Sequence, residues 1–257
     1  MRIERLGEKA VILRDLPCPA FELARILNEL PHSLVDADSS GTHHRVTENT
    51  EFHREPAVKS LRSPLHRGEC ESGGFEEAVA SYETVGLYFS KPVASPDGLL
   101  ASVSKVIGGP INTASPEPKL IQIPVCYELG PDLAEAAKSL QIPTEELIEL
   151  HLGTDYRCYA VGFSPGFAYL GYLNDRIASL PRLSSPRPRV EPGSVGITGR
   201  QTAVYPSSTP GGWNLIGKCP LTLVDVKDNY FPIEAGDQIR FVRIDDQEFA
   251  KQEGERL

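Results

Sequence analysis

No apolar run in the 257-residue chain approaches the length of a membrane span, and Met1 to Ala10 carry charge where a signal peptide needs an apolar core. Positive charge is scarce too. Lys and Arg number 26 against 35 Asp and Glu, leaving a formal net charge of −9. Binding to phosphate backbones needs a basic face, so this balance argues against a nucleic-acid partner. The five cysteines, Cys18, Cys70, Cys126, Cys158 and Cys219, are scattered, odd in number and without a CxxC pair. That pattern fits reduced thiols and speaks against a disulfide framework or a zinc site. There is neither a Walker loop nor a kinase-type glycine-rich loop with its lysine. These absences predict a soluble cytoplasmic protein with no nucleic-acid, membrane or metal partner.

What is present is concentrated. The apolar fraction of 40% is ample for a core, in one large domain or two modest ones. The stretch from Val161 to Leu221 holds the single Trp and three unusual phrases. They are Gly162-Phe163-Ser164-Pro165-Gly166-Phe167-Ala168-Tyr169-Leu170-Gly171, Pro192-Gly193-Ser194-Val195-Gly196-Ile197-Thr198-Gly199 and Thr209-Pro210-Gly211-Gly212-Trp213. Pro-Gly pairs favour turns, because Pro presets φ and Gly takes the positive φ that follows. Two readings stand. Rigid loops present Phe163, Phe167, Tyr169, Tyr205 and Trp213 to a ligand, or they turn the corners of a barrel. Arg182, Arg187, Arg189 and Arg200 are a local basic exception, either solvated loop residues or the lining of an anion pocket.

Patterning predicts a strand at Ala10–Leu13, then a helix with Phe21, Leu23, Ala24, Ile26, Leu27 and Leu30 on its apolar face, stopped by Pro31. Residues 36–74 are polar and weakly periodic, and read as a flexible insertion. Its His43, His44, His53 and His66 lack Cys or acidic partners at ligand spacing, so a solvated loop is preferred to a metal site. A β-rich run follows at Ala78–Phe89, then a helix capped at Ser95-Pro96-Asp97 and ending at Gly108-Gly109. Ser115-Pro116-Glu117-Pro118 reads as a linker. The second half opens with a strand at Leu120–Tyr127. Two short helices follow, the second capped by Thr144 and running to His151; beyond Cys158 come short strands and turns. The expected architecture is a small α+β domain over residues 1–114 and a small β-barrel over 115–257.

The second half resembles the B-subunit family of 5-oxoprolinase, also called the KipI or allophanate-hydrolase-subunit-1 family, and is similar to one half of the carboxyltransferase domain of urea amidolyase. The likeness rests on Ile123-Pro124-Val125-Cys126-Tyr127, His151, Tyr156-Arg157-Cys158-Tyr159, the three phrases above, Gln201-Thr202-Ala203-Val204-Tyr205-Pro206 and Gly236-Asp237. It departs at Glu191-Pro192, where the family tends to Pro-Ala, and at Cys219, where Thr is usual. The resemblance implies a cyclophilin-like β-barrel behind an α+β domain, without implying isomerase activity. It also implies two partner chains, the 5-oxoprolinase C subunit, which completes the site, and the A subunit. Together these couple ATP hydrolysis, with Mg, to the opening of 5-oxoproline to glutamate, with no covalently bound cofactor.

Under that resemblance, roles can be assigned against plainer ones. His151 is the acid/base candidate, or caps its helix through the dipole. Gln201 and Thr202 offer hydrogen bonds to a lactam, or satisfy barrel backbone. The N–H groups of Gly211 and Gly212, next to Pro210, bind an oxyanion, or form a tight turn. Phe163, Tyr205 and Trp213, with Pro165 and Gly166, form an apolar wall, or core. Arg187 holds the substrate carboxylate, or makes a surface ion pair. Two other functions remain open: a KipI-like non-enzymatic inhibitor of a sensor histidine kinase, and a component of urea or allophanate metabolism. The lack of a biotinyl-lysine context weighs against the latter.

Overall fold

The computed structural model describes residues 1–29, 74–108 and 118–257. The chain divides into two compact units, Met1–Pro116 and Glu117–Leu257. The expected insertion up to residue 73, its four histidines, Pro31 and the 115–117 part of the linker lie outside the described residues.

In the first unit, β1 (Arg2–Arg5), β2 (Ala10–Arg14), β3 (Phe75–Ser81) and β4 (Thr84–Phe89) form an antiparallel sheet in the order β1-β2-β4-β3. The β-rich run thus resolves into two strands, turned at Tyr82 with φ of +54°. Alternation gives the sheet one apolar face, carried by Val11, Leu13, Val85 and Leu87. Helices α1 (Ala20–Glu29) and α2 (Pro96–Gly108) cover it with Leu23, Leu27, Leu99 and Val103. Ser95 caps α2 as its sequence predicts, its hydroxyl accepting from Gly98 N–H at 3.1 Å. This is the expected α+β arrangement.

The second unit runs β5 (Leu120–Val125), α3 (Leu133–Leu140), α4 (Thr144–Leu152), β6 (Tyr156–Val161), β7 (Ala168–Gly171), β8 (Arg187–Val190), β9 (Ser194–Thr198), β10 (Gln201–Val204), β11 (Thr209–Gly211), β12 (Asn214–Lys218), β13 (Gln238–Arg243) and α5 (Asp246–Gln252). Thr144 is the first residue of α4 and does not cap it; Pro143 occupies the cap position. Seven strands make one sheet in the order β12-β9-β10-β7-β6-β13-β5. Its ends meet where Cys126 and Lys218 exchange two main-chain hydrogen bonds of 2.9 Å, closing a barrel. The seam is close. A Cβ on Gly130 would lie 2.2 Å from the Ile216 carbonyl carbon, so only glycine fits there.

The barrel core gathers Ile123, Val125, Tyr127, Leu147, Leu170, Ile197, Ile216 and Phe241. A second, aromatic cluster lies on the opposite face of β10, under a separate ribbon made by β8 and β11. Thr202 and Val204 turn into the barrel, whereas Ala203 and the following Tyr205 turn outward.

Candidate functional site

The outward cluster forms an aromatic cleft of about 140 Å³. Its hub is Phe167, which meets the rings of Phe163, Tyr169, Tyr205 and Trp213 edge-to-face at 5.3, 4.9, 5.2 and 5.7 Å. That is the geometry preferred by ring quadrupoles. Pro210, Gly211, Gly212 and Arg182 complete the wall.

The first two phrases fold locally as their Pro-Gly pairs require. Phe167 N–H donates to Ser164 O at 3.1 Å, and Gly166 takes φ of +71°, so Pro165-Gly166 are the central pair of a β-turn. Pro192-Gly193 does the same, with Gly193 at φ of +81°. The third pair does not turn. Pro210-Gly211 lies in β11, paired with β8 at Thr209 and Gly211, and Pro210, lacking an N–H, sits at the irregularity between them.

Phe163 is the exception among these rings. It has φ of +70°, a left-handed conformation that a non-glycine residue adopts at a cost, and its side chain is 50% exposed at the mouth. Ser164 N–H bonds to Gly162 O at 2.9 Å, which makes a three-residue turn around it. Strained backbone of this kind is common where a side chain is held for a ligand, which makes Phe163 a candidate contact.

The remaining expected residues distribute elsewhere. His151, read as the acid/base, is fully buried in the barrel core and stacked on Phe241 at 4.6 Å. Thr202 is buried beside it. The Thr202 hydroxyl donates to Gly196 O (3.2 Å), His151 Nε2–H donates to Thr202 Oγ1 (2.9 Å), and Tyr127 O–H donates to His151 Nδ1 (2.7 Å). Both ring nitrogens are thereby used inside the protein. Burial lowers the His151 pKa to about 3, so the ring stays neutral. Its position corrects the acid/base expectation, and that of Thr202 corrects the lactam-contact expectation.

Arg187 is corrected too. It is paired with Asp132, whose other carboxylate oxygen accepts Leu215 N–H at 2.6 Å, so it ties β8 to β12 and the start of α3. Gly166 and Pro165 serve their turn outside the cleft; a Cβ on Gly166 would lie 2.2 Å from Val224 Cγ2. Gln201 is half-buried, one strand step before Ala203 on the outward face, outside the cleft lining. Gly211 makes room for a protein group, because a Cβ there would lie 2.5 Å from the Tyr205 hydroxyl.

The structure brings Phe163, Tyr205, Pro210, Gly211, Gly212 and Trp213 together in one cleft, with Phe167, Tyr169 and Arg182. The two rings were legible as loop aromatics. Arg182 differed from its arginine neighbours by no signal in the sequence. The titratable groups of the wall are the two phenols and one guanidinium. Burial raises both Tyr169 and Tyr205, and the nearby Arg182 charge opposes that rise. Such a wall suits binding and orienting a ligand. It holds no carboxylate, imidazole or thiol for proton transfer, and one cation does not suit a magnesium–nucleotide. Among the described residues no cluster of three His, Cys, Asp or Glu could hold a metal ion. No helix among them is long and apolar enough to cross a membrane.

The model of the family "carboxyltransferase domain, subdomain C and D" matches residues 38–232. The chain belongs to that family. Among its relatives, this subdomain C and D chain is 52% identical to the 5-oxoprolinase B subunit of Bacillus subtilis (strain 168) over 134 residues, 51% of this chain and 55% of the relative. The 5-oxoprolinase B subunit of Escherichia coli O157:H7 is 45% identical over 130 residues, 49% and 59% of the two chains. The chain thus spans little more than half the length of these curated relatives. The crystal structure of TTHA0988 superposes with a TM-score of 0.63 at 27% identity, over 92% of this chain and 40% of that one. Kluyveromyces lactis urea carboxylase shares the fold at a TM-score of 0.60 and 13% identity, over 97% and 22%.

Proposed function

We propose that the chain is the B subunit of an ATP-dependent 5-oxoprolinase, active only with the A and C subunits, and that the aromatic cleft is its share of the 5-oxoproline site. The observation that carries this reading is the character of the cleft in a chain that is 52% identical over 134 residues to a named 5-oxoprolinase B subunit. A space of about 140 Å³ suits a single small ring, below the range of drug-sized pockets. Flat aromatic walls suit a planar lactam.

Lactam hydrolysis needs an activated carbonyl and a positioned base. The cleft supplies apolar walls, two phenols and a guanidinium. Under this reading the base, the magnesium and the ATP site belong to the A and C subunits, and this chain orients the ring and excludes water from one side. Phe163 covers the ligand at the mouth, with Tyr205 and Trp213 beneath it. A cytoplasmic complex accords with Cys18, Cys126, Cys158 and Cys219 being free thiols.

The test is 5-oxoproline-dependent phosphate release from ATP, measured for this chain alone and with the A and C subunits. Turnover only in the mixture is expected. No turnover with partner chains that work with their own B subunit would overturn the reading and favour a kinase-binding regulator instead.

A further inference from the structure

We propose that Arg182 is the carboxylate-binding residue of the cleft, which makes the cleft a receptor for small cyclic acids of single negative charge. The proposal rests on the cleft being the ligand site. It does not require that the ligand be 5-oxoproline.

Arg182 stands apart from the other arginines. Arg176 pairs with Glu146, Arg187 with Asp132, Arg189 with Glu191 and Arg200 with Asp175. Arg240, Arg243 and Arg256 have carboxylate partners as well. Among the described residues, Arg182 alone of the arginines has neither a carboxylate partner nor a hydrogen bond. In a chain with net charge of −9, an arginine left without an acid beside an apolar cleft is a departure from the local pattern.

Its backbone is also held on both sides. Asn214 Nδ2 donates to Pro181 O at 2.8 Å, and Leu183 N–H donates to Gly212 O at 2.8 Å. The residues flanking Arg182 are thus bound to the 212–214 segment that carries Trp213. The Arg182 main chain is fixed beside the cleft while its side-chain donors remain available. A planar fork of N–H donors matches a carboxylate bidentately. With one cation and no lysine on the wall, charge balance favours a monoanion over a polyphosphate.

Size and charge then specify the ligand class. The rings of Phe163, Phe167, Tyr169, Tyr205 and Trp213 hold a flat ring, and Arg182 receives the carboxylate attached to it. All these groups belong to this chain, so the proposal requires that the chain bind such an acid without partner chains.

Trp213, the single Trp, lines the cleft and reports its occupancy. The experiment is a titration of the full chain, followed by Trp213 fluorescence and by calorimetry, with three probes. They are 5-oxoproline, 2-pyrrolidone (the same lactam without the acid) and cyclopentanecarboxylate (the acid without the lactam). Wild type and Arg182→Met are compared. Arg182 is exposed and without a protein partner, so the substitution leaves the fold intact, checked by near-ultraviolet dichroism.

Both acids should bind saturably, with 2-pyrrolidone weaker by about 10–100-fold, the worth of a charge-assisted hydrogen-bond pair. Arg182→Met should abolish that difference, and Arg182→Lys should restore part of it. Equal binding of 5-oxoproline and 2-pyrrolidone, unchanged acid binding in Arg182→Met, or no binding by the chain alone would each overturn the proposal. Acid binding that depends on Arg182 but shows no preference for the lactam would uphold it and count against the 5-oxoprolinase reading. The two conclusions therefore fail separately.

Discussion

Two hydrogen-bonding environments lie on opposite faces of one short strand. Inside the barrel, Thr202 joins His151 and Tyr127 in a chain where every donor has an acceptor. Outside, Ala203 and Tyr205 belong to an aromatic cluster whose one guanidinium lacks any carboxylate. The inner set looks catalytic by residue type and is structural by geometry. The outer set looks like core by residue type, yet opens to solvent through a strained Phe163. Residue identity and hydrogen-bond satisfaction rank the two in opposite orders. Satisfaction of hydrogen-bonding capacity separates them.

The comparison can be broken most sharply at His151. His151→Ala removes a stacked ring and leaves the buried Tyr127 hydroxyl without its acceptor, costing the barrel about 3–5 kcal/mol. Denaturant unfolding followed by Trp213 fluorescence reads this. Under the proposed function, turnover per folded molecule in the assembled complex should be unchanged, and a collapse of turnover at intact stability would return His151 to catalysis. The same residue sets a pH signature. Its folded pKa of about 3 lies below the roughly 6.5 of an unfolded histidine, so between these values the unfolded chain binds the extra proton. Stability is therefore fully present above about pH 6.5 and declines as the pH falls toward 3, by up to about 1.4 kcal/mol per unit. In His151→Gln that component of the slope should vanish.

A smaller effect is expected in the cleft wall. Gly211→Ala would press a methyl group onto the Tyr205 hydroxyl, and overpacking of this kind costs about 1–3 kcal/mol. The displaced ring narrows the cleft, so ligand affinity in the fluorescence titration should fall more than stability does. Smallest of all is Phe163→Gly. It relieves a left-handed non-glycine backbone and removes a half-exposed ring, for a stability gain of up to about 1 kcal/mol. Binding should weaken at the same time. Loss of stability with unchanged binding would reassign Phe163 to packing.

Much of this was legible in the residues. The Pro165-Gly166 and Pro192-Gly193 turns, the Ser95 cap and six members of the cleft follow from turn chemistry, capping and the resemblance. Three features were not. In α4 the positions Leu147, Ile148 and His151 share one face by helical spacing, a signal for burial that the chemistry of histidine obscured. Strand β10 is buried on both sides from Thr202 onward, so alternation could not tell which face Thr202 takes. The choice between Arg182 and Arg187 depends on Asp132, 55 residues from Arg187, and no local pattern encodes a pairing that distant.

The seam at Cys126 and Lys218 lies next to the buried imidazole of the barrel. The Cys126–Lys218 hydrogen bonds are joined there by the Asp132 N–H donating to Leu215 O at 2.9 Å and the Leu215 N–H donating to the Asp132 carboxylate at 2.6 Å. The residue after Cys126, Tyr127, holds the His151 imidazole at 2.7 Å. A proton bound for that ring has no path from solvent in the closed barrel, so protonation of His151 and opening of the barrel are coupled events.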